Sequence, residues 1–410
     1  MEEKNVKIEK SEAGKDKTEQ IMAPKEPERK IEEKIFSPKL EKIQEAEEIL
    51  IKRKEKKRRR RLTKLETRFL PVFKGVDLSK RRIPIMIKRA AQDGPKIWLC
   101  GAIHGDEVTG IEVIHRVFDY LDEVGLKKGV VYSFPVMNSQ GFEMVSRHLP
   151  SSGEDLNRQF PGNPYGSPAE RVTFRILDYI SKTKPDLVID LHTDTMQSIS
   201  YILVDHFLEE ARRPVIEEAV KYAETFGVTW VYEYPDYYPE AFNCTFTAAL
   251  MNLSIPAFTV EIGGPNIINE SFVIEGVEGI KNILQNLGMI EPKDRAPWKS
   301  PTKKNDFPSP LKLIQSPKPE TSGVIEYLVK PGEWVKKGRI VAKIKNVFGK
   351  VESSVKIDSD ALILSSIDQS IAFPGIDIFM VAGEDKMPPP KSAENKENPK
   401  LPSHNLQNRK

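Results

Sequence analysis

The chain has 410 residues, 39% hydrophobic and 30% charged, and its 63 Lys and Arg against 60 Asp and Glu leave a net charge of only +3. That length carries a sizeable core with extensions, and the near-balance of sign excludes the basic excess of a dedicated nucleic-acid binder. Two cysteines, Cys100 and Cys244, make no disulfide framework, and no run approaches the roughly 20 apolar residues of a membrane span.

The opening MEEKNVKIEKSEAGKDK has no apolar centre for a signal peptide, so a cytoplasmic location is expected. Residues 1–66 are dominated by Lys, Glu and Arg and read as a charged extension, disordered or helical. A helix is expected over about 40–65, where Leu40, Ile43, Ala46 and Leu50 recur at suitable spacing. The basic run 56–61 is a weak hint of an acidic or nucleic-acid partner; a solvated charged tail is the plainer reading.

Residues 67–290 change character. Strands are expected over 83–90 and 96–102, split by the turn Gln92-Asp93-Gly94-Pro95. A helix follows, with Ile111, Ile114, Val117, Phe118 and Leu121 on one stripe, and then a strand over 129–138. Ser167-Pro168-Ala169-Glu170 predicts a helix start, with serine as cap, proline in the first turn and glutamate closing a capping box. Further strands are expected over 186–195, 201–204 and 256–264, with helices over about 207–226, 245–253 and 275–287. The stretch 230–242 is aromatic, and Tyr232, Tyr234, Tyr237 and Tyr238 either shape a pocket or pack as a surface loop.

Strands alternating with helices predict an α/β domain whose sheet is mainly parallel, with ligands outside the carboxyl ends of the strands. Residues 291–310 read as a proline-rich linker, 311–383 as a small β barrel or sandwich, and 384–410 as a disordered tail.

His104 and Glu107 stand three residues apart at a strand-to-helix turn, and His192 and Glu261 each end an apolar strand. Two histidines and a carboxylate are the ligand set of a catalytic zinc with one open position, one ion per chain. Glu261 is then the candidate general base for the water proton. Between the ligands, Arg147, Asn157 and Arg158 flank a glycine-containing loop. An arginine fork fits a carboxylate, asparagine adds a donor, and another arginine can steady an oxyanion. Asp155 is placed to orient a ligand histidine, and His148 is incidental.

The motifs HGDE, DLNRQFPG, DLH and VEIGG, in that order across about 83–290, closely resemble the succinylglutamate desuccinylase and aspartoacylase family, which belongs with the zinc carboxypeptidases. The resemblance implies a carboxypeptidase-like fold, zinc on His104, Glu107 and His192, and Glu261 as acid/base. It also implies that Asn157 and Arg158 hold a substrate carboxylate and that Arg147 stabilises the carbonyl oxygen. The activity implied is removal of an acyl group from an acylated amino acid. A carboxypeptidase acting on a peptide or cell-wall fragment is the alternative, and a non-catalytic zinc-binding assembly protein is a third reading. The family's barrel also follows its catalytic domain. Here it is similar to carrier domains, but Lys356 lacks a carrier lysine's neighbours, so a lid or wall over the site is expected. A homo-oligomer is left open, no membrane partner is expected, and the resemblance does not extend to the N-terminal extension.

Overall fold

The computed structural model describes residues 64–386 apart from 238, 240, 292–295, 303–306 and 308, together with 45, 49, 50 and 54. The basic run and nearly all of the expected helix over 40–65 and of the C-terminal tail lie outside the described residues. The chain divides into compact units at 1–52 and 53–410, and the fold below is that of the second.

Its elements run β1 (Glu66–Lys74), β2 (Lys80–Arg89), β3 (Gln92–Gly101), α1 (Thr109–Val124), β4 (Lys128–Phe134), α2 (Ser139–Met144), α3 (Pro168–Thr183), β5 (Leu187–His192) and β6 (Gln197–Ser198). Then come β7 (Tyr201–Asp205), α4 (Arg213–Phe226), β8 (Thr229–Glu233), α5 (Phe246–Asn252), β9 (Ala257–Glu261) and α6 (Glu270–Asn286). Short strands follow: β10 (Leu311–Ile314), β11 (Gly323–Tyr327), β12 (Trp334–Val335), β13 (Ile340–Lys345), β14 (Val351–Lys356), β15 (Ala361–Ser366), β16 (Ile371–Ala372) and β17 (Phe379–Glu384).

Helices flank a large sheet ordered β1-β2-β4-β3-β5-β9-β7-β8-β10-β17-β15-β12, with β6 on β15. Its centre, β4-β3-β5-β9, is parallel. Every residue of β5, LVIDLH, is buried, as a strand covered on both faces requires. Away from that centre the sheet is mixed rather than mainly parallel. β1 and β2 add antiparallel at one side, and β7 runs antiparallel to β9 on the other. β8 then pairs parallel with both β7 and β10.

The helix stripes fall where the 3.6-residue period puts them. Ile111, Ile114, Val117, Phe118 and Leu121 of α1 are buried, each contributing about 1.5–3 kcal/mol of burial free energy. The Ser167 capping box at the start of α3 is formed, with Glu170 reaching back to the Ser167 backbone. Besides the two-residue β6, two strands escape the sequence reading. β1 is mostly exposed and contains Pro71, which suits an edge and erases the alternation. β8 is hidden at the head of the aromatic stretch.

The C-terminal strands form two layers. β14-β13-β11-β16 make a separate sheet, while β10, β17, β15 and β12 extend the large one. Both layers share an apolar core that includes Val335, Val341, Ile344, Ile363 and Val381.

Candidate metal centre

The site begins where β3 ends. Ala102 takes a left-handed conformation (φ 48°), which costs an L-residue about 1–2 kcal/mol and turns the chain out of the sheet into His104-Gly105-Asp106-Glu107. Two glycines let this turn sit close to its neighbours. A Cβ on Gly105 would lie 2.0 Å from the Gly141 carbonyl carbon, and one on Gly110 would lie 2.8 Å from Leu191 Cβ. The turn is thereby wedged between the loop leading to Arg147 and the strand leading to His192.

His104, Glu107 and His192 converge, all buried, with one candidate ligand atom from each within 4.8 Å of the others. His104 Nδ1 lies 2.6 Å from Glu107 Oε1, and His192 Nδ1 lies 3.0 Å from Glu107 Oε2. The imidazoles meet edge to face, 5.0 Å between centroids. Each ring offers its opposite nitrogen to a carboxylate: His104 Nε2 to Asp155 at 3.1 Å and His192 Nε2 to Asp190 at 2.8 Å. The Thr193 backbone N–H donates to Glu107 Oε2 at 3.1 Å.

This donor set fits a divalent cation. Both Nδ1 atoms face one carboxylate, and both Nε2 atoms are fixed by acids that hold the rings in place. The charge balance points the same way. Burial pushes the Glu107 carboxyl up, but the two imidazoles outweigh it and hold it below its ordinary range. Burial pushes the His192 imidazole down, yet Asp190 and Glu107 raise it well above the usual value. Asp155 is likewise held low by His104 and Arg147 despite burial.

Arg147 reaches this cluster from the exposed side, with a guanidinium nitrogen 3.1 Å from Asp155 Oδ2 and another 3.6 Å from Glu107 Oε1. Asn157 and Arg158 lie on the short 3-10 turn that Asp155 caps. The Asn157 side-chain oxygen is engaged: it accepts from Phe246 N at 2.8 Å and so anchors the start of α5. Arg158 donates to the Asn157 carbonyl at 2.8 Å.

Glu261 stands opposite His192 in the β5–β9 register. Its Oε2 is buried without a hydrogen-bond partner. Burial raises its pKa to about 8, with Glu107, Asp194 and Asp190 adding to the rise and His192 opposing it. The structure therefore brings His104, Glu107, His192, Asp155 and Arg147 into contact, with Glu261 alongside and the Asn157-Arg158 turn adjoining.

Asp190 is the residue the sequence reading passed over. It sits two positions before His192, on the same strand face, and its signal was a lone acid inside an otherwise apolar run. The aromatic stretch packs against the C-terminal strands. Tyr234 donates to Asp385 at 2.8 Å, and Tyr237 Oη lies 3.3 Å from Met380 Sδ, while Tyr238 falls outside the described residues. The chain just after His192 is tied to the same strands by β6–β15 pairing and by Met196 N donating to Asp368 at 2.7 Å.

Comparison with known proteins places this geometry in context. Residues 93–287 match the succinylglutamate desuccinylase/aspartoacylase catalytic domain. An N-alpha-acetyl-L-2,4-diaminobutyric acid deacetylase of Halomonas elongata is 28% identical over 267 residues, covering 64% of this chain and 73% of that protein. Among solved structures, a succinylglutamate desuccinylase/aspartoacylase from Rhodobacter sphaeroides superposes with a TM-score of 0.63 at 20% identity, covering 79% of this chain and 96% of the other. The product-bound ectoine utilization protein EutE (DoeB) from Ruegeria pomeroyi gives the same TM-score and identity, over 78% of this chain and 95% of the other. At such identities these two structures establish a shared fold.

Proposed function

We propose that this chain, whose residues 93–287 belong to the succinylglutamate desuccinylase/aspartoacylase catalytic-domain family, is a zinc-dependent hydrolase that removes the acyl group from an N-acyl amino acid. The observation that carries the reading is the convergence of His104, Glu107 and His192 on one point, with Glu261 in register beside them. The deacetylase relative from Halomonas elongata supports an acylated amino acid as substrate.

His104, Glu107 and His192 would hold one zinc ion, which when bound acidifies water and polarises a carbonyl. Asp155 and Asp190 keep the two imidazoles turned toward that position. Glu261, in its carboxylate form, accepts the proton of the attacking water and passes it to the leaving nitrogen. Arg147, fixed by Asp155 and partly open to solvent, faces the oxygen that gains charge during attack. Asn157 and Arg158 hold the carboxylate of the amino acid. A small carboxylate substrate and a cytoplasmic setting complete the reading.

Metal analysis followed by a substrate screen tests it. About one zinc per chain is expected, with hydrolysis of N-acetyl amino acids that a chelator abolishes. Cleavage of short peptides in preference to acyl amino acids would make the chain a carboxypeptidase. A zinc-loaded chain that cleaves neither class would make it a binding protein.

A further inference from the structure

The C-terminal strands reach the metal centre through side chains that the chemistry above does not use. Tyr201 of β7 lies opposite Glu261 of β9, and directly opposed residues of an antiparallel pair have Cβ atoms about 4.5–5.5 Å apart. Tyr201 is 1% exposed, and its hydroxyl donates to Asp194 Oδ2 at 2.8 Å. Burial pushes that phenol up and the charges of Asp194 and Glu261 add to the rise, so the hydroxyl stands in the field of both carboxyls. A tyrosine hydroxyl has one proton to donate. Asp194 takes it, which fixes the ring beside Glu261 and leaves Glu261 Oε2 without a hydrogen-bond partner, free to receive a proton.

Asp194 is tethered on two further sides. Its backbone N–H donates to the Gly263 carbonyl at 3.0 Å, and the Ile262 N–H donates to the His192 carbonyl at 3.0 Å. These bonds lace the chain after His192 to the chain after Glu261. A Cβ on Gly264 would lie 2.6 Å from Met196 N, so the two segments pack backbone to backbone. The other tether comes from β15, where the Ser365 hydroxyl donates a hydrogen bond to the Asp194 carboxylate.

The local structure of β15 supports that contact. Ser365 is 2% exposed and lies near the end of ALILSS, a strand whose every residue is buried. A hydroxyl at that depth needs a protein partner, and Asp194 supplies it. The register of β15 against β17 slips between Ile363 and Ser365, an irregularity of the kind that re-aims a side chain. Across from β17, Ser365 pairs with Ser198 of β6, and the Ile199 N–H donates to the Leu364 carbonyl at 3.0 Å.

We propose that Ser365, Asp194 and Tyr201 form a positioning relay through which β15 fixes the general base Glu261. The alignment of the reacting carboxylate would then depend on a serine outside the family-matched residues 93–287. The inference rests on the hydrolase reading for the role of Glu261, though the chain of hydrogen bonds does not.

Kinetics of the zinc-loaded full chain test it, with the compound cleaved fastest in the substrate screen as probe. Tyr201→Phe should lower kcat by about 10-fold and Ser365→Ala by about 3-fold or more, with KM moving less than about 2-fold and zinc content unchanged. Because the relay is linear, adding Ser365→Ala to Tyr201→Phe should lower kcat no further. Additive losses, or a wild-type kcat in Ser365→Ala, overturn the proposal. A merely structural trio would lower the melting temperature and zinc content and leave kcat per bound zinc intact, which overturns it too. A wild type that hydrolyses nothing refutes the hydrolase reading instead, and crystal structures of wild type and Ser365→Ala then decide the relay. Glu261 held in one rotamer in the wild type and displaced or split in the variant supports it; an unmoved Glu261 overturns it.

Discussion

Two sets of carboxyls, one at the metal cluster and one at the ends of β7 and β8, behave in opposite ways. Glu107 and Asp155 are held below the ordinary carboxylate range because imidazole or guanidinium groups stand against them. Asp205 and Glu233 are pushed up, to about 7 and about 8, because burial dominates; the charge of Asp190 adds to the rise at Asp205 and that of Asp205 to the rise at Glu233, against the Thr247 hydroxyl and Arg158 respectively. Glu107 and Asp205 are both almost fully buried, at 3% and 4% exposure, so depth does not separate them. The partner does. A carboxylate with a histidine across from it is favoured in its ionised form, whereas one facing another acid holds its proton more tightly.

The strongest way to press on this contrast is Glu261→Gln, which keeps the size of the side chain and removes its basicity. Turnover should fall by about 100- to 10,000-fold while zinc, measured by elemental analysis, stays near stoichiometric. Full activity would remove Glu261 from the reaction. Next in size is Asp190→Asn, which weakens the hold on His192 and should reduce zinc affinity by about 10- to 100-fold in a competition titration. An unchanged affinity would mean that the ring needs no such support.

Arg158→Ala should raise KM for acyl amino acids by about 10-fold, with a smaller effect on kcat. A loss confined to kcat would move the residue from binding to catalysis. The smallest effect concerns stability of the metal-free chain. Asp205 and Glu233 have folded-state values raised from 3.8 and 4.5 to about 7 and about 8, so the folded chain retains protons that the unfolded chain releases. Stability therefore falls as pH rises from about 4 to about 8. The double variant Asp205→Asn, Glu233→Gln should melt above wild type at pH 9, with the gap closing toward pH 5; parallel melting curves across that range would contradict the raised values.

Much of this was readable beforehand because the parallel core writes itself into the sequence as apolar runs. The runs ending at His192 and Glu261, and the turn after Cys100, mark strand ends where the structure brings polar side chains together. The rest had physical reasons to stay hidden. Strand direction leaves no trace in local periodicity, so the reversal of β7 against β9 could not be read. That reversal is what carries Asp205 away from the metal centre on the same face. Asp190 looked like an interruption of a core strand, although its place two residues before His192 was the available signal. Arg147 was visible as a residue, but its bridge between Asp155 and Glu107 depends on a loop whose path no motif encodes.

The pairing of β8 with β10, with Lys312 beside Tyr232, makes the C-terminal strands a continuation of the catalytic sheet. Tyr234 is locked to Asp385 just beyond, and Glu233, at the end of β8, directly precedes that lock. The C-terminal segment is therefore no interchangeable cassette. A chimera that grafts this segment from a relative would have to reproduce a backbone register and a tyrosine–aspartate clasp, or it would shift the strand that carries Glu233. The position of β8 and the evolution of the C-terminal strands are then bound to one another, because a drift in either is felt at the same β-strand.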